Sequence, residues 1–278
     1  MTNPTTVRVR DNYIHHNQRE GTEGYGIGLY NGAYALIERN VFDYNRHAIS
    51  GGDGSDGSGY LAYRNLVLEH GGLHRNLPVI GWVHTHQFDM HGQENCGISG
   101  LFSDHVWNCG TAGEYMDIRY NSFFYTNGNA FKLRGTPEIG ADVTDNVFAH
   151  PVLFTTPQSG GGVTLGALEQ TESGLRASNN LVGINGMNEL GLCDFDGDGV
   201  NDFFLATGQT WWYSKGSTHM PWIYLNTSKK RRAEVTLGFF DGDNRCDVLV
   251  DGVIYPGGKP QTNSFPPRDG MASTTLNP

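Results

Sequence analysis

"ALIERNVFDYN", residues 35–45, decides how the chain is read. Apolar Ile37 is followed by two variable residues, an asparagine (Asn40), one more variable residue and apolar Phe42. Side chains that alternate between two faces suit an extended strand, not a helix. The asparagine interrupts the alternation, as a polar residue does at a bend.

The same pattern returns in "VRVRDNYIHHN" (7–17), "YLAYRNLVLEH" (60–70), "MDIRYNSFFYT" (116–126), "ADVTDNVFAHP" (141–151) and "LRASNNLVGIN" (175–185). The asparagines are Asn12, Asn40, Asn65, Asn121, Asn146 and Asn180, at spacings of 28, 25, 56, 25 and 34 residues. Periods of this size call for stacked repeats. A second strand-like run follows most of the first ones: "GIGLYNG" (26–32), "AISGG" (48–52), "FDMHG" (88–92) and "FKLRG" (131–135). Glycine ends each run, where a turn needs positive φ. Two short strands per period, with no amphipathic helix between them, predict a coil of a parallel β-solenoid. The asparagines are expected to stack as a ladder at one bend, adopting the left-handed conformation and bonding to their neighbours in adjacent coils.

Over about residues 5–188 the pattern resembles the right-handed parallel β-helix of the pectate-lyase type. The resemblance implies an all-β fold and leaves activity to be argued from a site. The 56-residue spacing is expected to be one coil with insertions at about 71–85 and 93–114, around "HQFDMHG" (86–92). Long loops on a rigid scaffold are where binding sites are built. "GGDGSDGSG" (51–59) begins like a calcium-binding nonapeptide, but Ser58 stands where a large apolar residue belongs, and it is read as a flexible turn.

The asparagine pattern stops near residue 190. "DFDGDGVND" (194–202) places Asp194, Asp196, Asp198 and Asp202 at positions 1, 3, 5 and 9 of a loop, with the carbonyl of Val200 at position 7. Carboxylates at alternate positions converge on a hard cation, so calcium is expected here. Leu205 replaces the glutamate an EF-hand would need, and "FFLATG" reads as a strand, so the loop lies in a β context. A second copy, "FFDGDNRCD" (239–247), keeps Asp241, Asp243 and Asp247 but has Phe239 for the first carboxylate, and is expected to bind more weakly or not at all. Loop, aromatic strand pair and loop resemble the FG-GAP or VCBS repeat of integrin-like β-propellers. Two repeats are too few to close a propeller. The expected organisation is therefore 1–189 as the β-helix, 190–256 as a small β-module with calcium loops, and 257–278 as a tail.

The 278 residues carry a formal charge of −10, which argues against general nucleic-acid binding. No run of about 18 apolar residues suggests a membrane span. The start has no signal peptide and enters the strand pattern almost at once, as a piece of a longer, secreted protein would. Four cysteines suit an oxidising compartment. Cys96–Cys109 is the preferred pair, since it would staple an insertion, while Cys193 and Cys246 lie in the two acidic repeats.

If "FDMHG" is a strand, Phe88 and Met90 point inward and Asp89 and His91 outward. Adjacent coils lie about 4.8 Å apart, so Asp89 should stack near Lys132 and His91 near Arg134. An acid, an imidazole and two cations on one face suit an acidic polysaccharide. Cations hold a uronate carboxylate and acidify its α-proton, a base removes that proton, and the oxygen substituent leaves by β-elimination. The roles assigned are Arg134 or His91 as base, Lys132 as carboxylate clamp and Asp89 as orienter. A glycoside hydrolase is a further alternative, with no second carboxylate evident on that face. The competing reading is a non-catalytic glycan-binding or adhesion protein in which these charges merely pair across a solvated sheet. Zinc or copper at His84, His86 and His91 is a third reading, in which His84 and His86 share a face and His91 does not.

Overall fold

The computed structural model describes residues 7–18, 24–52, 57–77, 81–92, 109–159, 162–185, 189–217 and 221–260. It is nearly all β, with parallel sheets stacked as in a parallel β-helix. Sheet A stacks Val7–Arg10, Tyr34–Glu38, Gly59–Tyr63, Tyr115–Arg119, Gly140–Thr144 and Leu175–Ser178. Sheet B stacks Tyr13–His15, Val41–Asp43, Leu66–Val67, Ser122–Phe123, Val147–Phe148 and Leu181–Val182. Sheet C stacks Tyr25–Tyr30, His47–Gly52, Phe88–His91, Phe131–Arg134 and Leu168–Gln170. The chain visits A, B and C in turn, so each period holds three strands where the sequence pattern suggested two. The asparagine splits the first predicted strand into an A part and a B part.

The three sheets enclose one core. Ile37, Ala62, Ile118 and Val143 enter it from sheet A, Phe42, Phe123 and Phe148 from sheet B, and Ile49, Phe88, Met90, Phe131 and Leu133 from sheet C. These rows are the alternate positions of the sequence pattern, stacked in register.

The asparagine ladder forms as expected. Each Nδ2 donates to the Oδ1 of the asparagine one coil on: Asn12 to Asn40, Asn40 to Asn65, Asn65 to Asn121, Asn121 to Asn146 and Asn146 to Asn180, at 2.9–3.1 Å. The 56-residue spacing is therefore a single coil. The left-handed residue, however, is the one before each asparagine: Asp11, Arg39, Arg64, Tyr120, Asp145 and Asn179 have φ of 53–58°. A non-glycine residue in that region costs about 1–2 kcal/mol, which the ladder offsets.

Of the expected insertions, Leu73–Leu77 and Gly81–His84 form an antiparallel hairpin outside the three stacks. Most of the 93–114 insertion, and Cys96 with it, lies outside the described residues. Cys109 is disulfide-bonded. Residues 53–56 of the glycine-rich stretch also lie outside them.

The C-terminal part has an antiparallel four-stranded sheet, Leu190–Cys193, Asp202–Ala206, Thr210–Ser214 and Trp222–Thr227, and a three-stranded one, Thr236–Gly238, Asp247–Val250 and Val253–Tyr255. A disulfide joins Cys193 to Cys246. This part does not simply follow the β stacks; it packs on the outside of sheet B. Val41, Leu66 and Val147 form a buried cluster with Leu205, Trp212 and Trp222. Within that contact Ser122 donates to Thr207 at 2.8 Å, and Arg64 reaches Thr227 at 2.6 Å. The central strands of sheet B, Val41–Asp43, Leu66–Val67, Ser122–Phe123 and Val147–Phe148, are thus buried on both faces, as adjacent apolar residues in a strand require. The expected tail begins later than residue 257, because Pro256–Gly258 form a 3₁₀ turn; residues 261–278 lie outside the described residues.

Candidate functional site

The outer face of sheet C carries the four residues singled out from the sequence. Asp89 pairs in register with Lys132, and His91 with Arg134. Phe88 and Met90 point into the core as expected. Gly52 makes this packing possible, since a Cβ there would lie 2.2 Å from the His91 carbonyl oxygen and 2.8 Å from its ring.

The pairing within the face differs from the expected one. Asp89 has no exposed surface. Arg134 grips it with two hydrogen bonds, Nε to Oδ1 at 3.1 Å and Nη2 to Oδ2 at 2.7 Å. Lys132 turns to Glu169 in the next coil, at 2.9 Å. His86 Nε2 lies 3.2 Å from Asp89 Oδ1, and His91 Nε2 lies 4.0 Å from Oδ2. The assignment of Arg134 as base therefore gives way to Arg134 as the residue that holds Asp89. Glu169 is the second carboxylate the sequence did not reveal, two strands from Asp89 with Lys132 between them.

Burial alone would raise the Asp89 carboxyl, but Arg134, His86 and His91 outweigh it and hold it well below the ordinary carboxylate range. Burial lowers His86 to about 4 and His47 well below the usual imidazole value, so both rings are neutral near pH 7.

His47 opens the strand His47–Gly52 and is buried. Its ring stacks on His86, with centroids 4.3 Å apart, and Tyr25 stacks on its other side at 5.5 Å. His47 Nδ1 lies 2.6 Å from the His86 carbonyl oxygen. His84 is exposed while His86 is buried, so the expected shared face does not form. The group whose ligand atoms converge is His47, His86 and Asp89, all within 4.8 Å of one another. No spacing rule links residue 47 to residue 86; only coil stacking does.

A second feature lies at the bend after sheet B. His16 stacks on Tyr44 and Tyr44 on His70, each with centroids 4.5 Å apart. His16 and His70 are exposed. His70 also lines an open groove of about 490 Å³ with Glu69, Phe124, Thr126, Asn127 and Asn185.

In the C-terminal part the acidic residues that could bind a metal cluster twice, as Asp194–Asp196–Asp202 and as Asp241–Asp243–Asp247. Asp198 is the donor that stays outside the first cluster; it accepts the N–H of Val200, and Val200 is exposed. Asp194 accepts the N–H groups of Gly197 and Gly199. The Lys215 ammonium lies 2.5 Å from Asp196 and 3.8 Å from Asp198. The two loops share their architecture. Asp202 accepts the N–H of Gly216 at 2.7 Å, and Asp247 that of Gly257 at 3.0 Å, each glycine being left-handed in a 3₁₀ turn. Comparison with protein-family models, with curated proteins and with solved structures finds no match for this chain.

Proposed function

We propose that this chain is a right-handed parallel β-helix of a secreted protein that binds a polysaccharide or cell-surface glycan, with calcium held in the C-terminal loops. The observation that carries this reading is the stacked ladder His16–Tyr44–His70, rising one rung per coil and ending in the open groove beside Glu69 and Asn127. Ring faces meet the apolar faces of sugars, and neighbouring amides and carboxylates meet their hydroxyls. The Cys193–Cys246 disulfide suits an oxidising compartment. Three converging carboxylates per loop suit a hard cation, with Asp194, Asp196 and Asp202 as ligands joined by Asp198 and the Val200 carbonyl. Lys215 now neutralises the first loop, so calcium would displace it. The test is retention on immobilised glycans, with and without calcium. Wild type should be retarded on at least one, and His70→Ala should lose most of that retention. Equal retention of the two proteins would remove the groove from the proposal.

The second reading is polysaccharide lyase chemistry on sheet C, which a neutral His86 beside an ionised Asp89 favours. In this version Asp89 orients His86 as base, Arg134 fixes Asp89, and Lys132 leaves Glu169 to take the uronate carboxylate. Ultraviolet absorbance from unsaturated uronates decides between the readings. A rise on one polymer that Lys132→Ala abolishes would establish a lyase. A flat trace leaves the binding reading.

A further inference from the structure

We propose that His47, His86 and Asp89 form a binding site for a borderline transition-metal ion of the zinc class, where two adjacent coils enter sheet C. The three ligand atoms lie within 4.8 Å of one another and come from two adjacent coils. Two nitrogens and one carboxylate oxygen are a donor set that zinc accepts and calcium does not favour.

Three details single this cluster out from an ordinary buried polar group. First, His86 Nε2 is buried and makes no aligned hydrogen bond. Asp89 Oδ1 lies 3.2 Å from it. Two donors on one tetrahedral ion, each about 2.0–2.1 Å from it, stand about 3.3 Å apart. A nitrogen and an oxygen at that separation without an aligned hydrogen bond are placed as co-ligands are.

Second, His47 is already oriented as metal-bound histidines are. Its Nδ1 meets the His86 carbonyl oxygen at 2.6 Å, to which it can only donate. That hydrogen bond fixes the tautomer and leaves Nε2 with its lone pair free for an ion. Third, Arg134 holds Asp89 through one bond to each oxygen. A carboxylate has about four lone-pair sites, so Oδ1 keeps capacity for an ion while Arg134 fixes the carboxylate plane from behind. Tyr25 on the outer side of His47 completes the stack that holds the two imidazoles. Three protein ligands leave one place for water, which is the pattern of catalytic zinc sites and not of structural ones.

The test uses the whole chain, stripped with chelator and titrated with cobalt(II) as a spectroscopic probe, then with zinc(II) by calorimetry. The expected result is one equivalent bound, with visible cobalt absorption. Changes to outer-shell partners already weaken metal sites about 10–100-fold, so His47→Gln and His86→Gln should each weaken binding about a hundredfold or more. Melting curves of both variants establish that they fold. His15→Ala/His16→Ala removes the exposed imidazole pair whose Nδ1 atoms lie 2.6 Å apart, and should leave the affinity unchanged. Asp196→Asn should leave it unchanged too. Failure of the stripped, folded wild type to bind cobalt would overturn the proposal. So would cobalt absorption that survives both His47→Gln and His86→Gln, or that vanishes in the His15/His16 variant.

Discussion

The bend between sheets A and B and the outer face of sheet C are built from the same coils. Every rung of the bend is asparagine, from Asn12 to Asn180. The face places Gly28, Ser50, Asp89, Lys132 and Glu169 in successive rungs, with no residue used twice. A ladder of one residue type solves the same problem at every coil: it satisfies backbone groups at a corner. A column of five different residues solves no shared problem, so its content has to be explained locally. What stabilises the scaffold is therefore spread evenly along the bend, and what is particular to this chain is concentrated where Asp89 sits.

The sharpest way to break that contrast is to remove the carboxylate. Asp89→Ala removes both carboxylate oxygens that the buried Arg134 guanidinium holds, and breaking a buried ion pair on one side costs about 3–5 kcal/mol. The double variant Asp89→Leu/Arg134→Leu should cost far less, since no buried charge is left alone. Urea denaturation of the two measures both. If the double variant is as unstable as the single one, the destabilisation is a packing effect and the ion pair is not what organises the face.

The next effect is the pH dependence that the face contributes. The His86 imidazole is lowered from 6.5 to about 4 by burial, so below pH 6.5 the unfolded chain takes up a proton that the folded chain refuses. Stability is fully present above pH 6.5 and is lost as pH falls toward 4. The loss reaches about 3 kcal/mol across that window. Asp89, held below the ordinary carboxylate range, adds a further loss only at pH values below those. Denaturation midpoints from pH 7 to 4, with chelator present, should fall in wild type and fall less in His86→Gln. The asparagines do not titrate, so ladder variants should keep the wild-type slope.

This contrast also explains which features could be read from the chain itself. The ladder, the register of "FDMHG" on "FKLRG" and the inward rows of Phe88 and Met90 follow from a period, and a period survives in one dimension. The third strand per coil was missed because the asparagine pattern spans two strands and looks like one. The left-handed residues vary from Asp11 to Tyr120, so no residue type marks them. Docking of the C-terminal part on sheet B had a signal, the paired apolar residues "VF", "LV" and "VF" at 41–42, 66–67 and 147–148, which leave no polar outer face. The convergence of His47 with His86 had none. It depends on how the chain re-enters sheet C after the hairpin at 73–84, and that path has no periodic trace.

The smallest effect sharpens the comparison within the ladder. Asn65 is buried; its Oδ1 accepts from the backbone and side chain of Asn40, and its Nδ2 donates to the Ile37 carbonyl. Asn65→Ala strands the Asn40 N–H and the Ile37 carbonyl together, a cost of about 2 kcal/mol if each is partly relieved by relaxation. Asn12, at the exposed end, accepts nothing from a preceding rung, and water can replace what it loses. Asn12→Ala should therefore cost under about 1 kcal/mol. A scaffold of equivalent coils predicts that Asn121→Ala matches Asn65→Ala, because both occupy interior rungs with the same partners. If Asn65 and Asn121 differ as widely as Asn65 and Asn12 do, the rungs are not equivalent. The even spread of stability along the bend, which sets it apart from the Asp89 face, would then be lost.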